Sequence, residues 1–257
     1  MLLTITPFIA EGVANDWQKA VACLDRTLRS ILGNPERDLR AMVVCQDRPP
    51  LKLNDERYLF LETRQPRPDK QDVMAKFRDI DAKRFEAFEA ARQLSPEYVM
   101  FVDADDLISN TLVSYVLQRP IFDAFCLKTG YRWREGSSHF TLLPYFNQVC
   151  GSAFVWRFNE RLFPAYLGKT YTKRICDQAH NVVEAAMDVE GLQVDKIYEP
   201  KAVYVIGHVN HVYAGSHQFT FKRRIKDFLL SPWRNQKLTP ELKAEFALIH
   251  EKTKTNG

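Results

Sequence analysis

Short apolar runs alternate with longer amphipathic segments over the first hundred residues. The short runs have the length of buried strands, and the longer segments place their apolar side chains at helical spacing. In chain order the strand and helix segments are residues 2–6, 17–32, 41–45, 58–61, 71–94 and 98–102. Apolar strands separated by helices form parallel sheets that are covered on both sides. The pattern therefore predicts an α/β fold with a mostly parallel central sheet and helices on both faces.

The second half of the chain is less regular. It contains four further strand-like runs, a helix that Gly191 ends, a basic helical segment and a polar tail with some helical character. In that order they are residues 123–128, 140–145, 195–198 and 202–206, then 180–190, 219–230 and 237–256. No internal repeat or low-complexity linker divides the chain. We therefore expect a single domain over residues 1–257, whose two halves meet near residue 107.

Charge and cysteine content exclude several classes of protein. The net charge is +4, and residues 219–234 carry all of this excess, with five basic residues and one acidic residue. A general nucleic-acid binder spreads basic charge more widely, so we expect no nucleic-acid partner. The five cysteines form no CxxC pair, and no apolar run approaches the roughly 20 residues of a membrane helix. These features favour a reduced, cytoplasmic protein.

Three carboxylates follow the apolar strand at residues 98–102. Asp103, Asp105 and Asp106 fall within four positions, and like charges at the end of a buried strand are unfavourable without a nearby cation. In open α/β sheets this strand end is also where ligands bind. Carboxylate oxygens suit Mg²⁺ or Mn²⁺, which could hold a substrate diphosphate there. Alternatively, Asp105 or Asp106 caps the next helix and the remaining carboxylates lie in a solvated turn.

The order of elements around this cluster resembles bacterial glycosyltransferase family two. Residues 82–106 contain the end of a helix, a short break, Glu97-Tyr98, four apolar residues and then Asp-Ala-Asp-Asp. Residues 23–32 resemble the first helix of that family, and Ile5-Thr6-Pro7 resembles the end of its first strand. The resemblance covers residues 1–110 well and residues 150–217 loosely. It implies a GT-A fold, the Rossmann-like fold of nucleotide-diphospho-sugar transferases, with donor-binding residues 1–107, acceptor-side residues 108–218 and a basic C-terminal segment 219–257.

The resemblance also implies roles for individual residues. Asp103 and Asp105 would bind the metal, Mn²⁺ or Mg²⁺, and Asp103 would also contact the nucleotide-sugar. The other donor-binding positions are Thr6, Pro7, Asp47, and Lys83 or Arg84. Asp47 could instead be a turn residue before Pro49, and Lys83 could lie on a solvated helix face. The chain departs from the family at Phe8, where a Thr-Tyr-Asn sequence is usual, and at Gln46, where the family has paired aspartates. The position of the donor pocket is thus implied, while the base that it recognises stays open.

Two late histidines are further metal-ligand candidates. His208 and His211 follow the apolar run at residues 202–206, and many GT-A enzymes complete their metal site with a late histidine. Neutral imidazole is an acceptable ligand for Mn²⁺. The alternative is a surface loop that packs against Tyr213.

The catalytic base that the resemblance implies is Asp177. Family-two enzymes draw their base from a Glu-Asp pair that opens a helix, with a glycine further on. Here Gly191 follows Asp177 by fourteen residues, although Cys176 replaces the glutamate. Asp177 could equally be the N-cap of that helix, and Glu184 and Asp188 are lesser candidates. Residues 151–163 resemble the acceptor-side segment of the family, although an ordinary strand and turn would explain them equally well.

Together these features predict a metal-dependent glycosyltransferase of the hexosyltransferase type (EC 2.4). It would invert the anomeric centre and move a sugar from a UDP-sugar to a carbohydrate or glycolipid acceptor in surface polysaccharide synthesis. The alternatives are a retaining GT-A transferase, a nucleotidyltransferase and a catalytically inactive GT-A-like binding module. Residues 219–234 mix aromatic and basic side chains, which predicts peripheral contact with the inner face of the membrane. A helix packed on the sheet with solvated lysines is the alternative for that segment.

Overall fold

The fold was determined as a computed structural model. It describes residues 1–159, 162, 165–167, 170–172, 175–177, 180–207 and 234–248. The candidate ligands His208 and His211, the basic helix expected at 219–230 and the membrane contact expected at 219–234 therefore lie outside the described residues, apart from Arg234. No helix among the described residues is long and apolar enough to cross a membrane.

Fourteen strands and five α-helices occur in the described part of the chain. In chain order they are β1 (Leu2–Pro7), α1 (Trp17–Leu32), β2 (Leu39–Cys45), β3 (Tyr58–Glu62), α2 (Val73–Leu94), β4 (Tyr98–Phe101), β5 (Leu107–Ile108), α3 (Leu112–Leu117), β6 (Ala124–Leu127), β7 (Gly130–Arg134), β8 (His139–Leu143), β9 (Phe154–Arg157), β10 (Ala165–Leu167), β11 (Thr170–Thr172), α4 (His180–Val189), β12 (Val194–Ile197), β13 (Ala202–Ile206), β14 (Asn235–Lys237) and α5 (Pro240–Glu245). Short 3₁₀ turns at Phe146–Gln148 and Ile175–Asp177 complete the set.

Seven strands form the central sheet, in the order β12-β6-β9-β4-β1-β2-β3. The strands β4, β1, β2 and β3 are mutually parallel. The chain crosses from β1 to β2 through α1 and from β3 back to β4 through α2. Such crossovers are right-handed. The first moves along the sheet toward β3 and the second moves back toward β4, so α1 and α2 cover opposite faces of the sheet. The mixed α/β fold with a mostly parallel sheet and helices on both faces is thus confirmed.

Local sequence explains where the first helix begins and ends. Asp16 adopts an extended backbone conformation, and its side chain accepts a hydrogen bond from the backbone N–H of Lys19. That interaction satisfies one of the N–H groups that a helix start leaves unpaired. The buried stripe of α1 includes Leu24, Leu28 and Ile31, which are all at most 1% exposed. The helix predicted over residues 17–32 is confirmed with these bounds.

Strand β9 is antiparallel to both of its neighbours, β4 and β6. It occupies the second half of the central sheet and brings residues 150–152, which precede it, close to the end of β4. An apolar run alone does not reveal strand direction, so the sequence pattern did not predict this reversal.

A second sheet packs beside the first and has the strand order β14-β8-β7-β13-β5. One of its faces forms a separate small core, with Trp133, Val203, Val205 and Phe246 among its members. The intervening residue Tyr204 lies on the other face of β13 and packs against the main core. Strand β13 therefore connects the two cores.

Candidate active site

The parallel strands β4, β1 and β2 have their carboxyl ends at the same edge of the main sheet. Ile5 of β1 pairs with Phe101 of β4, and Pro7 of β1 pairs with Val44 of β2. The carboxyl ends of β1 and β4 flank the point where the crossovers change direction, which is the usual ligand position in open α/β sheets. Five of the sequence-predicted residues lie at or beside this edge: Thr6, Pro7, Asp47, Asp103 and Asp105.

Residues 103–106, here called the acidic loop, follow β4 directly. Asp103 is 46% exposed and Asp105 is partly buried, whereas Asp106 is completely buried. The next helix, α3, begins only at Leu112 after Thr111. The alternative interpretation, in which Asp105 or Asp106 caps that helix, is therefore wrong. The loop presents two carboxylates at the surface and directs the third inwards.

Asp106 accepts three hydrogen bonds, which come from two separate segments of the chain. Its Oδ2 accepts from the Ser152 hydroxyl at 2.7 Å and from the Cys150 thiol at 3.0 Å, and its Oδ1 accepts from the Val205 backbone N–H at 3.2 Å. Burial, reinforced by the negative charges of Asp105 and Asp103, raises the pKa of Asp106 well above its usual range. This carboxylate joins the acidic loop to the 150–152 segment and to β13.

Residues 150–152, here called the 150–152 turn, also contact Asp103. The Ser152 hydroxyl accepts a hydrogen bond of 2.9 Å from the backbone N–H of Asp103 while it donates to Asp106. A Cβ atom added at Gly151 would lie 2.9 Å from Oδ2 of Asp103, which is closer than real side chains approach. The position of Asp103 thus depends on a buried hydroxyl and on the absence of a side chain at residue 151.

Arg84 is the cation beside the acidic loop. Its Nη2 lies 3.9 Å from Oδ1 of Asp103, and its guanidinium lies over the Phe101 ring at 4.9 Å. The Nε atom is buried and has no hydrogen-bond partner among the described residues. The Asp103 side chain is only partly exposed, and the desolvation that results raises its pKa; the charge of Arg84 opposes that shift, and the nearby Asp105 adds to it. Arg84 can therefore meet an anionic group that approaches the acidic loop.

Lys83 lies next to Arg84 in sequence but faces another direction. It is 1% exposed, and its ammonium donates to the Phe8 carbonyl at 2.7 Å and to Oδ2 of Asp79 at 2.6 Å. Asp79 also accepts from the Gln46 amide at 2.8 Å. Lys83 thus holds the chain that follows β1, and Arg84 is the member of this pair beside the acidic loop.

Asp47 is held by two groups at the end of β2. Its Oδ2 accepts from the backbone N–H of Glu11 at 2.9 Å, and both carboxylate oxygens contact the Arg67 guanidinium. The Arg67 hydrogen bond, opposed in part by burial, lowers the pKa of Asp47. Asp47 therefore stays ionised near neutral pH and connects two loops at the site edge.

Thr6 lies at the same edge, within the sheet. It is 1% exposed, and its hydroxyl has no hydrogen-bond partner among the described residues. A buried hydroxyl without a partner is energetically unfavourable. Pro7 follows it and ends β1.

Asp177, the predicted base, ends the 3₁₀ turn Ile175–Asp177, and its side chain lies outside the described residues. Helix α4 begins at His180, so residue 179 and not Asp177 precedes the first helical residue. The lesser candidate Glu184 is ion-paired with Lys128 at 2.6 Å and Lys196 at 3.3 Å. The hydrogen bond from Lys128 is the main cause that lowers the pKa of Glu184. Glu184 thus takes part in an ionic network.

Tyr204 connects β13 electrostatically with the acidic loop. Burial, together with Asp106, Cys150, Asp105 and Asp103, raises the pKa of its hydroxyl. Strand β13 ends at Ile206, two residues before His208. The positions of His208 and His211 relative to the acidic loop lie outside what the structure describes.

The donor set at the acidic loop suits a hard divalent cation. Asp103 and Asp105 offer oxygen ligands only, and Mg²⁺ sites commonly use one or two carboxylates together with substrate phosphates. Within the described ranges, no group of three or more His, Cys, Asp and Glu residues is arranged to hold a metal ion. A cation held by Asp103 and Asp105 would thus need further ligands from a bound substrate, from water or from the residues beyond the described ranges.

Comparisons with known proteins give the following results. No model of a protein family matches the chain, and no curated protein matches its sequence. Among solved structures, it is similar to a crystal structure of S. aureus TarS residues 1–349, with 12% identity and a TM-score of 0.48 over 79% of this chain and 60% of that one. A longer structure of S. aureus TarS gives 11% identity and a TM-score of 0.44 over 90% of this chain and 42% of the other. The chain thus spans less than two thirds of either structure, and with both TM-scores below 0.5 the function of TarS is not transferred to it.

Gly151, Ser152 and Tyr204 were not identified as site residues from the sequence. The resemblance of residues 151–163 to an acceptor-side segment implies no role toward the acidic loop. Their contacts depend on the antiparallel direction of β9 and on the path of β13. A buried serine beside a glycine is too common a pattern to indicate such a position.

Proposed function

We propose that this protein is a glycosyltransferase that uses a nucleoside-diphosphate sugar. The observation that carries the proposal is the position of Asp103 and Asp105 at the carboxyl end of β4. They lie beside the point where the crossover connections change direction and next to Arg84. In the proposed reaction an acceptor hydroxyl attacks the anomeric carbon, and the bond from that carbon to the diphosphate breaks. The hydroxyl proton passes to a base, and the nucleoside diphosphate leaves with the bonding electron pair.

The acidic loop would hold the diphosphate end of the donor. Two carboxylates and a diphosphate are all negative, so they bind together only with positive charge between them. A divalent cation bound to Asp103 and Asp105 would supply that charge and stabilise the leaving diphosphate. Arg84 would donate hydrogen bonds to a phosphate oxygen from the side of α2. The Ser152 contact would fix the backbone of Asp103 during binding.

The nucleoside would lie across the ends of β1 and β2. Thr6 and Pro7 border this region, and Asp47 lies beyond the end of β2, where the Arg67 guanidinium contacts it. A nucleobase that contacts the Asp47 carboxylate must either displace the Arg67 guanidinium or bind beside it. Lys83 would act indirectly, because its ammonium holds the Phe8 carbonyl and Asp79.

The acceptor would approach from the side of the second half of the chain, and Asp177 would be the base of an inverting reaction. A base of this kind must lie within hydrogen-bond distance of the acceptor hydroxyl, opposite the departing diphosphate. Asp177 ends the 3₁₀ turn that precedes α4, and the proposal for this residue rests on its spacing to Gly191 in the sequence.

A ligand panel tests the proposal. Thermal unfolding of the protein would be measured with UDP, GDP, CDP and ADP, each with and without Mn²⁺. A ligand at a hundred times its Kd should stabilise the fold by about 2.7 kcal/mol. We expect one nucleotide to stabilise the wild type only when Mn²⁺ is present. If none of the four does so with or without Mn²⁺, the proposal is wrong.

Matched variants link that binding to the acidic loop. Asp103→Asn and Asp105→Asn should each keep the fold, because they reduce carboxylate repulsion, and should lose the Mn²⁺-dependent stabilisation. The control is Asp38→Asn, since Asp38 is 66% exposed and pairs with the N-terminus at the opposite end of β1. Donor hydrolysis, measured as release of the nucleoside diphosphate, would separate an enzyme from a binding module. Unchanged binding in both loop variants would contradict the proposed site.

A further inference from the structure

We infer that Ser152 and Asp106 are positioning residues that set the geometry of the acidic loop for metal and diphosphate binding. This inference rests on the proposed function, which it deepens. Neither residue would touch the substrate, because both are fully buried. They would act through Asp103, whose backbone Ser152 contacts directly.

The hydrogen-bond pattern gives Ser152 a specific role. Its hydroxyl has one proton, which it donates to Oδ2 of Asp106, and a lone pair, which accepts the Asp103 N–H. Because the hydroxyl donates its proton to Asp106, it can only accept a hydrogen bond from the Asp103 N–H. The carboxylate of Asp106 thereby orients the hydroxyl that holds the backbone of Asp103.

Asp106 connects this hydroxyl to a third element. Its second oxygen accepts the backbone N–H of Val205 in β13, and the Cys150 thiol donates to the same oxygen as Ser152. The acidic loop, the 150–152 turn and β13 therefore meet at a single buried carboxylate. These segments are far apart in sequence, so no local turn could hold them in this arrangement.

Outer contacts of this kind affect metal affinity strongly. Loss of a group that orients a metal ligand typically reduces metal affinity about 10- to 100-fold. Ser152→Ala removes the hydroxyl and leaves Asp103, Asp105 and Arg84 intact. We therefore expect it to weaken Mn²⁺-dependent nucleotide binding by about 10-fold or more, with little change in any binding that occurs without Mn²⁺.

Ser30 provides a matched control for this substitution. Its hydroxyl is equally buried, donates to the Thr27 carbonyl at 2.7 Å and accepts the Ile108 backbone N–H at 3.0 Å. Ser30→Ala therefore removes the same atom, one donated hydrogen bond and one accepted backbone N–H bond, and its acceptor is a carbonyl where that of Ser152 is a carboxylate. A general loss of stability would affect both variants alike.

The experiment measures the Kd of the best of UDP, GDP, CDP and ADP by titration calorimetry, with and without Mn²⁺, for wild type, Ser152→Ala and Ser30→Ala. The inference predicts a weaker Mn²⁺-dependent Kd for Ser152→Ala alone, at a melting temperature close to that of Ser30→Ala. Equal Kd values for the two variants would overturn the inference while the proposed function stands. A wild type that binds none of the four nucleotides would refute the proposed function and this inference with it.

Discussion

The Arg84 guanidinium lies 3.9 Å from the Asp103 carboxylate and has a buried Nε without a hydrogen-bond partner in the described chain. The guanidinium also lies over the face of the Phe101 ring, 4.9 Å from its centroid. Such an arginine is held in position and still has hydrogen-bonding capacity. This is the arrangement expected of a group that receives a phosphate.

Replacement of this arginine should weaken donor binding. Arg84→Met keeps the apolar stem over Phe101 and removes the charge, so we expect the donor KM, or the Kd of the bound nucleotide, to rise about 10-fold or more. The control is Arg92→Met on the same helix, since Arg92 also lies over a phenylalanine ring, that of Phe88, and pairs with Glu89. Equal affinities for the two variants would show that Arg84 does not contact the donor.

Gly151→Ala should damage the site more than the fold. The added methyl group would lie 2.9 Å from Oδ2 of Asp103, and the short side chain of Asp103 can move away with little effect on stability. The displaced carboxylate would then fit the cation poorly. We expect a melting temperature near that of the wild type and a clear loss of Mn²⁺-dependent nucleotide binding, measured by thermal shift.

Gly12→Ala is the control, because open space surrounds its added Cβ. A large fall in melting temperature for Gly151→Ala, with nucleotide affinity retained, would contradict this prediction.

Asp177→Asn tests the base. General-base catalysis typically contributes about 10²–10⁴ in rate, so kcat should fall by at least about a hundredfold with donor affinity unchanged. Asp188→Asn, at an exposed position of α4, tests the lesser candidate in parallel, and a large loss of kcat for that variant alone would assign the base to Asp188. A loss below about tenfold for Asp177→Asn would exclude it as the base.

Glu184→Gln should change stability and its pH dependence. Contacts with Lys128 lower the pKa of Glu184 below its ordinary value of 4.5. Its stabilising effect is therefore complete above that value and is lost as the pH falls through the lower pKa of the folded state. We expect the variant to melt below the wild type at pH 7 and the two to converge in acid. Thermal scans from pH 7 to about pH 3 measure this difference.

Glu56→Gln provides the control, because Glu56 is 81% exposed and its nearest cation, Arg37, is 3.8 Å away. An equal gap between Glu184→Gln and the wild type at every pH would indicate that the ion pairs with Lys128 and Lys196 do not contribute.

The sequence was most informative where structure is local. The bounds of β13 and of α1 were predicted directly, because apolar runs and helical spacing depend on residues that are neighbours in the chain. The direction of β9 and the strand Gly130–Arg134 were not predicted. Both depend on pairing between distant segments, which period and propensity do not encode.

The same distinction between local and distant contacts explains which site residues could be predicted. Asp103 and Asp105 could be found because three carboxylates after an apolar strand are unusual in themselves. The different orientations of Lys83 and Arg84 could not, since neighbouring residues on a helix point about 100° apart and only packing decides which one meets the acidic loop. The burial of Asp106 likewise depends on Ser152 and Val205, which lie far along the chain.

The antiparallel strand β9 also affects how the protein is made. A ribosome synthesises β4 and the acidic loop well before it reaches Ser152 and β9. Until then, the nascent chain carries the three carboxylates without the hydroxyl that contacts Asp103 and Asp106, and β4 has an unpaired edge. Domains generally fold as units during synthesis. The site is therefore assembled late, and a nascent chain that ends before β9 contains every carboxylate of the acidic loop but not their arrangement.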